Sequence, residues 1–90
     1  MYRLEISKVA QKEIAQFKKS NPPAFKKVAK MLAELQVHPR EGTGHPEPLQ
    51  KGKSITYSRR ITKKDRLIYD VLDDVVKVLV LTATGHYMDK

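Results

Sequence analysis

The sequence predicts an α+β fold with an N-terminal strand and a hairpin of two helices packed on one face of a small, mainly antiparallel sheet. Apolar residues recur at helical spacing between residues 8 and 36. Residues 2–6 and 54–71 instead alternate as half-buried strands do, and residues 75–83 form an apolar run typical of a buried strand. With 90 residues, the chain is predicted to form one domain, residues 1–90, with a single modest core.

Charge and composition narrow the function classes. Lys and Arg number 18 against 10 acidic residues, which gives a formal charge of +8 and favours a nucleic acid or another acidic partner. Cysteine is absent, so disulfides, zinc ribbons and thiol catalysis are excluded. Neither a membrane-spanning run nor a secretion signal is recognisable, so we expect a cytoplasmic protein without a membrane partner.

Capping residues delimit the two predicted helices. Ser7 is a predicted N-cap for a helix over residues 8–19, and Asn21 caps a second helix that runs to about Gln36. Pro22 and Pro23 fall in the first turn of the second helix, where a missing N–H costs little. The predicted apolar stripe of that helix comprises Phe25, Val28, Ala29, Leu32 and Leu35.

The hairpin over residues 54–71 is predicted to place two arginines on one face. A three-residue loop, 63–65, pairs Thr62 with Arg66 and directs Arg60 and Arg66 to the same side. The opposite, core side would hold Ile55, Tyr57, Ile61, Leu67, Tyr69 and Val71. Two guanidiniums on adjacent strands suit a phosphate, although the pattern alone also fits two solvated arginines.

The end of the chain adds a histidine and a tyrosine. A two-residue turn at Asp73 and Asp74 would pair Asp70 with Lys77 across the strands. Residues 75–83 are then predicted to be the central, most buried strand. His86 and Tyr87 follow where this strand ends, beside or near the arginine face.

The segment over residues 38–53 holds three of the five prolines and three of the four glycines, so we predict a long loop. Glu47 lies there between Pro46 and Pro48, which restrict the backbone on both sides of the carboxylate. It is a candidate base, or a carboxylate that only faces water. The three histidines and Glu47 lack regular metal-ligand spacing, so we predict no metal and no cofactor.

Together these candidates supply the groups that metal-free RNA cleavage requires. A base removes the proton of the ribose 2′-hydroxyl, cations stabilise the charged transition state, and an acid protonates the departing 5′-oxygen.

The sequence resembles the RelE superfamily of bacterial toxins, and within it the YoeB/Txe branch. The resemblance rests on GTGHPEPL at 42–49, YSRRITKKDRLIYDV at 57–71 and GHY at 85–87. It implies a RelE-like, microbial-RNase-like fold and the toxin of a type II toxin–antitoxin pair. It further implies a ribosome-dependent endoribonuclease that cleaves mRNA in the ribosomal A site. The implied partner is a small antitoxin that wraps around the toxin with an acidic segment.

The resemblance also implies roles for individual residues. Glu47 corresponds to the general base, His86 to the general acid and Arg66 to the main phosphate-stabilising cation. Arg60 corresponds to a second phosphate contact, and Tyr87 to the residue that orients the substrate or stacks on it.

One position departs from the branch, which often has a lysine directly after the PEPL motif where this chain has Gln50. Lys51 or Lys53 would then supply the positive charge toward RNA, and a nearby lysine is an alternative to Glu47 as the base. Residues 88–90 also extend past the tyrosine at which several relatives end, which affects how Tyr87 is seated.

Two other functions compete with the nuclease. A non-catalytic RNA- or ribosome-binding protein of the same fold would block translation and would need Arg60 and Arg66 but not Glu47 or His86. A DNA-binding regulator would need a recognition-helix pattern, which the sequence does not show.

Overall fold

The computed structural model describes residues 1–50 and 53–85, so Lys51, His86 and Tyr87 lie outside the described residues. The elements are β1 (Arg3–Ile6), α1 (Lys8–Ser20), α2 (Pro22–Leu35), β2 (Glu47–Gln50), β3 (Lys53–Arg60), β4 (Arg66–Leu72) and β5 (Lys77–Thr82). The strands form one sheet in the order β1-β5-β4-β3-β2. Among the described strands, only β1 and β5 pair in parallel, so the predicted α+β class with a mainly antiparallel sheet is confirmed.

The helix boundaries follow from the predicted caps. The Ser7 hydroxyl accepts a hydrogen bond from the Ala10 amide at 3.0 Å. The Asn21 side chain accepts from the Ala24 amide at 3.3 Å, while its own amide donates to the Phe17 carbonyl at 2.8 Å. One asparagine therefore ends α1 and begins α2, which forces the two helices into a hairpin.

The core lies between the helical hairpin and one face of the sheet. Its buried members include Ala10 and Phe17 from α1, and Val28, Met31 and Leu35 from α2. Ala29, predicted to belong to the apolar stripe of α2, is exposed. Among the described residues, no helix is long and apolar enough to cross a membrane.

The β3–β4 register differs by two residues from the predicted one. Arg60, rather than Thr62, lies opposite Arg66. The loop is longer because the Asp65 carbonyl accepts from the amides of Ile61 and Thr62 at 2.9 and 3.2 Å. Since a shift of two residues leaves every side chain on its own face, Arg60 and Arg66 still point the same way.

The predicted core face of this hairpin is wrong at one position. Ile55 is 48% exposed because it precedes the first β3–β4 pair, Thr56 with Asp70, and so lies past the paired ladder. Ile61 is buried, as predicted, although it lies in the loop rather than in a strand.

The connection between β4 and β5 is longer than the predicted two residues. Asp73–Val75 form a short 3₁₀ turn, and Val76 adopts a left-handed conformation with φ 50°. Lys77 therefore pairs with Leu72 in the ladder, and its ammonium group contacts Glu5 at 2.8 Å instead of Asp70. Asp70 accepts a hydrogen bond from the Thr56 hydroxyl at 2.6 Å.

Two further predictions about strands are corrected. β4 is the middle strand of the sheet, and β5 lies next to it with β1 on its other side, because the N-terminal strand pairs with β5. The segment predicted as a loop over residues 38–53 contains β2, an edge strand. Pro48 is compatible with this strand because an edge strand has one side without ladder partners.

Candidate functional site

A cleft of about 340 Å³ opens on the sheet face opposite the helices and collects three of the sequence-predicted site residues. Its lining consists of Gly44, His45, Glu47, Ser58, Arg60 and Arg66. Glu47, Arg60 and Arg66 are separated by up to 19 positions in sequence, yet they meet on three adjacent strands. The structure thus brings the predicted carboxylate and both predicted cations together.

Strand register sets the geometry of this cleft. Glu47 lies opposite Ser58, and Arg60 lies opposite Arg66. Residues that face each other across antiparallel strands have Cβ atoms about 4.5–5.5 Å apart. Because Ser58 and Arg60 are two positions apart on β3, they share one face, so the carboxylate lies diagonally across from the arginine pair.

The two opposed arginines favour the binding of an anion between them. Two like charges directly opposite each other on paired strands are destabilising. Both Arg60 and Arg66 are exposed, so their planar forks of donors remain available to a ligand in the cleft. An anion bound between them would relieve the repulsion, and a phosphate matches the geometry of two such forks.

Backbone conformation shapes the rim of the cleft beside the arginines. Gly44 has φ +89°, and its carbonyl accepts a hydrogen bond from the Arg60 amide at 2.8 Å. A Cβ at this position would lie 2.6 Å from the Met31 methyl carbon and 2.8 Å from the Arg60 carbonyl oxygen, so only glycine fits. His45 follows with φ 51°.

A buried arginine lies directly behind the cleft, on the opposite face of β3. Arg59 is 0% exposed, and its guanidinium contacts the Glu34 carboxylate at 2.7 Å. Its Nε donates to the Tyr69 hydroxyl at 3.0 Å, and the Tyr69 hydroxyl donates to the Pro39 carbonyl at 2.7 Å. This cluster of Arg59, Glu34 and Tyr69 is called the arginine hub below.

Ionisation of the hub follows from its contacts. Burial raises the pKa of Glu34, but hydrogen bonds from Thr43 and Arg59 outweigh burial and hold the pKa below its usual value of 4.5. Burial raises the pKa of the Tyr69 hydroxyl, with the Arg59 guanidinium opposing the rise. The hub therefore consists of a charged ion pair and a neutral phenol.

Sequence reasoning missed three contributors to this region. Arg59 shares a face with Tyr57, so strand alternation places it on the core side, but its charge argued against burial. The pairing of Ser58 with Glu47 was missed because β2 itself was not predicted. His45 was considered only as a metal ligand, and it lines the same cleft as Glu47.

The structure does not test the remaining predicted site residues. Lys51, His86 and Tyr87 lie outside the described residues, and Lys53 is the first residue of β3. Their functional roles stay predictions.

Comparison with known proteins agrees with this architecture. A family model described as the YoeB-like toxin of bacterial type II toxin–antitoxin systems matches residues 7–87. Toxin YoeB of Escherichia coli K12 is 40% identical over 62 residues, which cover 69% of this chain and 71% of that protein.

Solved structures show the same fold over nearly the whole chain. The YoeB dimer of Staphylococcus aureus superposes with a TM-score of 0.79 at 28% identity, covering 96% of this chain and 98% of that one. The YoeB–YefM complex of the same organism gives a TM-score of 0.75 at 28% identity, covering 97% and 99%. Given the family-model match and the identity to a curated relative, the chain belongs to the YoeB-like toxins of bacterial type II toxin–antitoxin systems.

Proposed function

We propose that this toxin is a ribosome-dependent endoribonuclease that cleaves mRNA in the ribosomal A site. The observation that carries the proposal is the cleft in which a carboxylate, Glu47, lies beside two opposed arginines, Arg60 and Arg66. A base and an anion site on one rigid sheet are what cleavage at a ribose 2′-hydroxyl requires.

The proposed reaction uses the residues of the cleft and the C-terminal histidine. Glu47 takes the proton of the 2′-hydroxyl, and the oxygen attacks the adjacent phosphorus to form a 2′,3′-cyclic phosphate. Arg66 and Arg60 stabilise the charge that develops on the phosphate oxygens. His86 donates a proton to the 5′-oxygen as the P–O bond breaks, and Tyr87 orients or stacks on the substrate.

The reaction so written needs no metal ion, because two cations and a base are supplied by side chains. We expect cleavage to survive chelation of divalent cations, provided that the ribosomes are kept intact with a polyamine. Loss of cleavage under these conditions, restored by a low concentration of one metal ion, would contradict a metal-free reaction.

We expect the ribosome to be required because the cleft is open and shallow. Glu47, Arg60 and Arg66 are all exposed, so nothing among the described residues encloses an RNA strand. Positioning of the reacting groups is worth several orders of magnitude in rate, and the ribosome would hold the codon in place. Efficient cleavage of free RNA at low toxin concentration would contradict this step.

The proposed protein partner is a small antitoxin. The related S. aureus toxin was solved in complex with YefM. The net charge of +8 on the present chain favours a partner with an acidic segment, because complementary charge speeds association and selects partners.

One experiment tests the proposed activity. The 5′ ends of an mRNA held on purified ribosomes with an open A site are mapped with the wild-type toxin, with His86→Gln, and with the same mRNA free of ribosomes. We expect a cut at the A-site codon that needs the ribosome and largely disappears in the variant. Arrest of translation without any cut would instead identify a ribosome blocker whose arginines are binding contacts.

A further inference from the structure

We propose that Arg59 is a positioning residue: through the arginine hub it fixes the segment that leads into β2, and so holds Glu47 diagonally across from Arg60 and Arg66. The catalytic consequence of this inference rests on the proposed function, whereas its structural part does not.

All five N–H donors of Arg59 match an acceptor. Nε bonds to the Tyr69 hydroxyl, one terminal nitrogen to Glu34 at 2.7 Å and to the Thr43 carbonyl at 3.4 Å. The other terminal nitrogen donates to the carbonyls of His38 and Glu41 at 2.8 and 2.9 Å. A planar fork with five donors is a property of arginine that lysine cannot reproduce.

Three of these acceptors are backbone carbonyls of the segment between α2 and β2. This segment, residues 36–46, has no helix or strand of its own, so its backbone groups must find partners elsewhere. Glu34 binds the same segment from the other side, since its carboxylate accepts from the Thr43 amide at 2.9 Å and from the Thr43 hydroxyl at 2.7 Å. The hub is therefore the main internal anchor of this segment.

The anchored segment is coupled directly to the cleft. Gly44, next to Thr43, accepts a hydrogen bond at its carbonyl from the Arg60 amide, and a Cβ added to Gly44 would lie only 3.1 Å from the Arg59 Cβ. Three residues later, Glu47 pairs with Ser58. The short stretch from Gly44 to Glu47 therefore contacts Arg60 at its beginning and Ser58 at its end. Arg59 fixes the beginning of this stretch.

A role in core stability alone does not account for this arrangement. Replacing a buried ion pair by well-packed apolar residues is often neutral or stabilising, so a core needs no guanidinium at this place. Three of the five Arg59 donors bind the segment that carries Gly44 and leads into Glu47. Apolar packing alone would not fix the position of Glu47 relative to Arg60 and Arg66.

The test combines a structural readout with an activity readout in the full-length toxin. Arg59→Lys keeps the charge but loses the fork, and Glu34→Gln weakens the hub from α2. Hydrogen exchange of the Arg60 amide, measured by NMR, reports whether Gly44 remains docked. We expect exchange at this amide to accelerate about ten-fold or more in both variants.

The activity arm uses cleavage of mRNA on programmed ribosomes. We expect the kcat of both variants to fall by about 10²-fold while KM for ribosomes changes little, because Arg60 and Arg66 still meet the RNA. Val78→Ala is the matched control, since it opens a cavity in β5 at a fully buried core position away from the segment. The control should lose stability without the drop in kcat.

The outcomes separate the inference from the proposed function. Unchanged exchange at Arg60 in folded variants overturns the inference, and so does accelerated exchange with unchanged kcat. A kcat loss of equal size in Val78→Ala also overturns it, because general destabilisation would then explain the effect. If the wild type does not cleave, the proposed function fails, and the exchange result alone decides whether Arg59 anchors the Glu47 segment.

Discussion

Arg59 and Arg60 are consecutive residues of β3 whose side chains lie on opposite faces of the sheet. Arg59 is fully buried and binds the segment before β2, whereas Arg60 is exposed in the cleft opposite Arg66. Because side chains alternate along a strand, one dipeptide links the support of the cleft to its anion site.

The arginine pair should carry the charge stabilisation of the proposed reaction. We expect Arg66→Gln to reduce the single-turnover cleavage rate on programmed ribosomes by about 10²- to 10³-fold, the usual cost of removing one preorganised donor. Arg60→Gln should have a smaller effect of the same kind. Arg3→Gln is the matched control, because Arg3 is an exposed arginine on β1, at the other edge of the sheet. Equal losses in all three variants would show that net charge, not the cleft, matters.

The carboxylate of Glu47 should act as the base. We expect Glu47→Gln to reduce the cleavage rate about 10²- to 10⁴-fold while binding to ribosomes changes little, because the variant keeps the shape but cannot take a proton. Glu41→Gln makes the same chemical change at an exposed side chain of the preceding segment and should leave the rate unchanged. A Glu47→Gln variant that cleaves normally would transfer the role to a nearby lysine.

Mutation can distinguish the role of His86, near the end of the chain, from that of His45, which lines the cleft. The family resemblance assigns the general acid to His86, and we expect His86→Gln to reduce the cleavage rate about 10²- to 10⁴-fold. His45 lines the cleft beside Glu47, and His45→Gln should reduce the rate by less than about ten-fold, as a contact group would. The same mapping assay measures both. The reverse order of effects would make His45 the acid.

Gly44 should tolerate no side chain. Gly44→Ala combines a left-handed backbone, φ +89°, with a Cβ only 2.8 Å from the Arg60 backbone carbonyl oxygen. We expect a loss of about 2–3 kcal/mol in the free energy of unfolding, measured by urea denaturation. Gly85→Ala has a similar φ of +79° but nothing closer than 3.4 Å, so it should lose about 1 kcal/mol from backbone strain alone. Equal losses would show that the close contact at Gly44 relaxes easily.

Acid should weaken the arginine hub through Glu34. The pKa of Glu34 is lowered in the folded protein, so below its ordinary value of 4.5 the unfolded chain binds more protons than the folded one. The stabilisation by the charged carboxylate is present above that pH and is lost as pH falls through the lower folded-state pKa. Urea denaturation at about pH 6 and about pH 3 should show a larger loss in the wild type than in Glu34→Gln. Equal losses would mean that Glu34 gains no net stabilisation from the hub.

Several features of the fold were predictable because their causes are local. Ser7 and Asn21 cap the helices through hydrogen bonds to amides three residues away. The common side of Arg60 and Arg66 was also predictable, because the parity of a strand survives a register shift of two residues.

Other features depended on contacts that the sequence does not display. The predicted β3–β4 register was wrong because the Asp65 carbonyl closes a five-residue loop. The predicted Asp70–Lys77 pair was wrong because the 3₁₀ turn lengthens the β4–β5 connection, so that Lys77 pairs with Leu72 and its ammonium group contacts Glu5 on β1. β2 was not predicted because a four-residue edge strand with a proline is too short to show an alternation of apolar and polar residues.

By itself, the sequence determined the α+β class, the helical hairpin and the common side of Arg60 and Arg66, since periodicity, capping and strand alternation are short-range properties. The burial of Arg59 was decided only by the tertiary structure. A guanidinium can leave water only where a carboxylate, a phenol and several carbonyls converge on it. In this protein those acceptors come from Glu34, Tyr69 and the segment before β2, which are brought together only when the helices pack on the sheet.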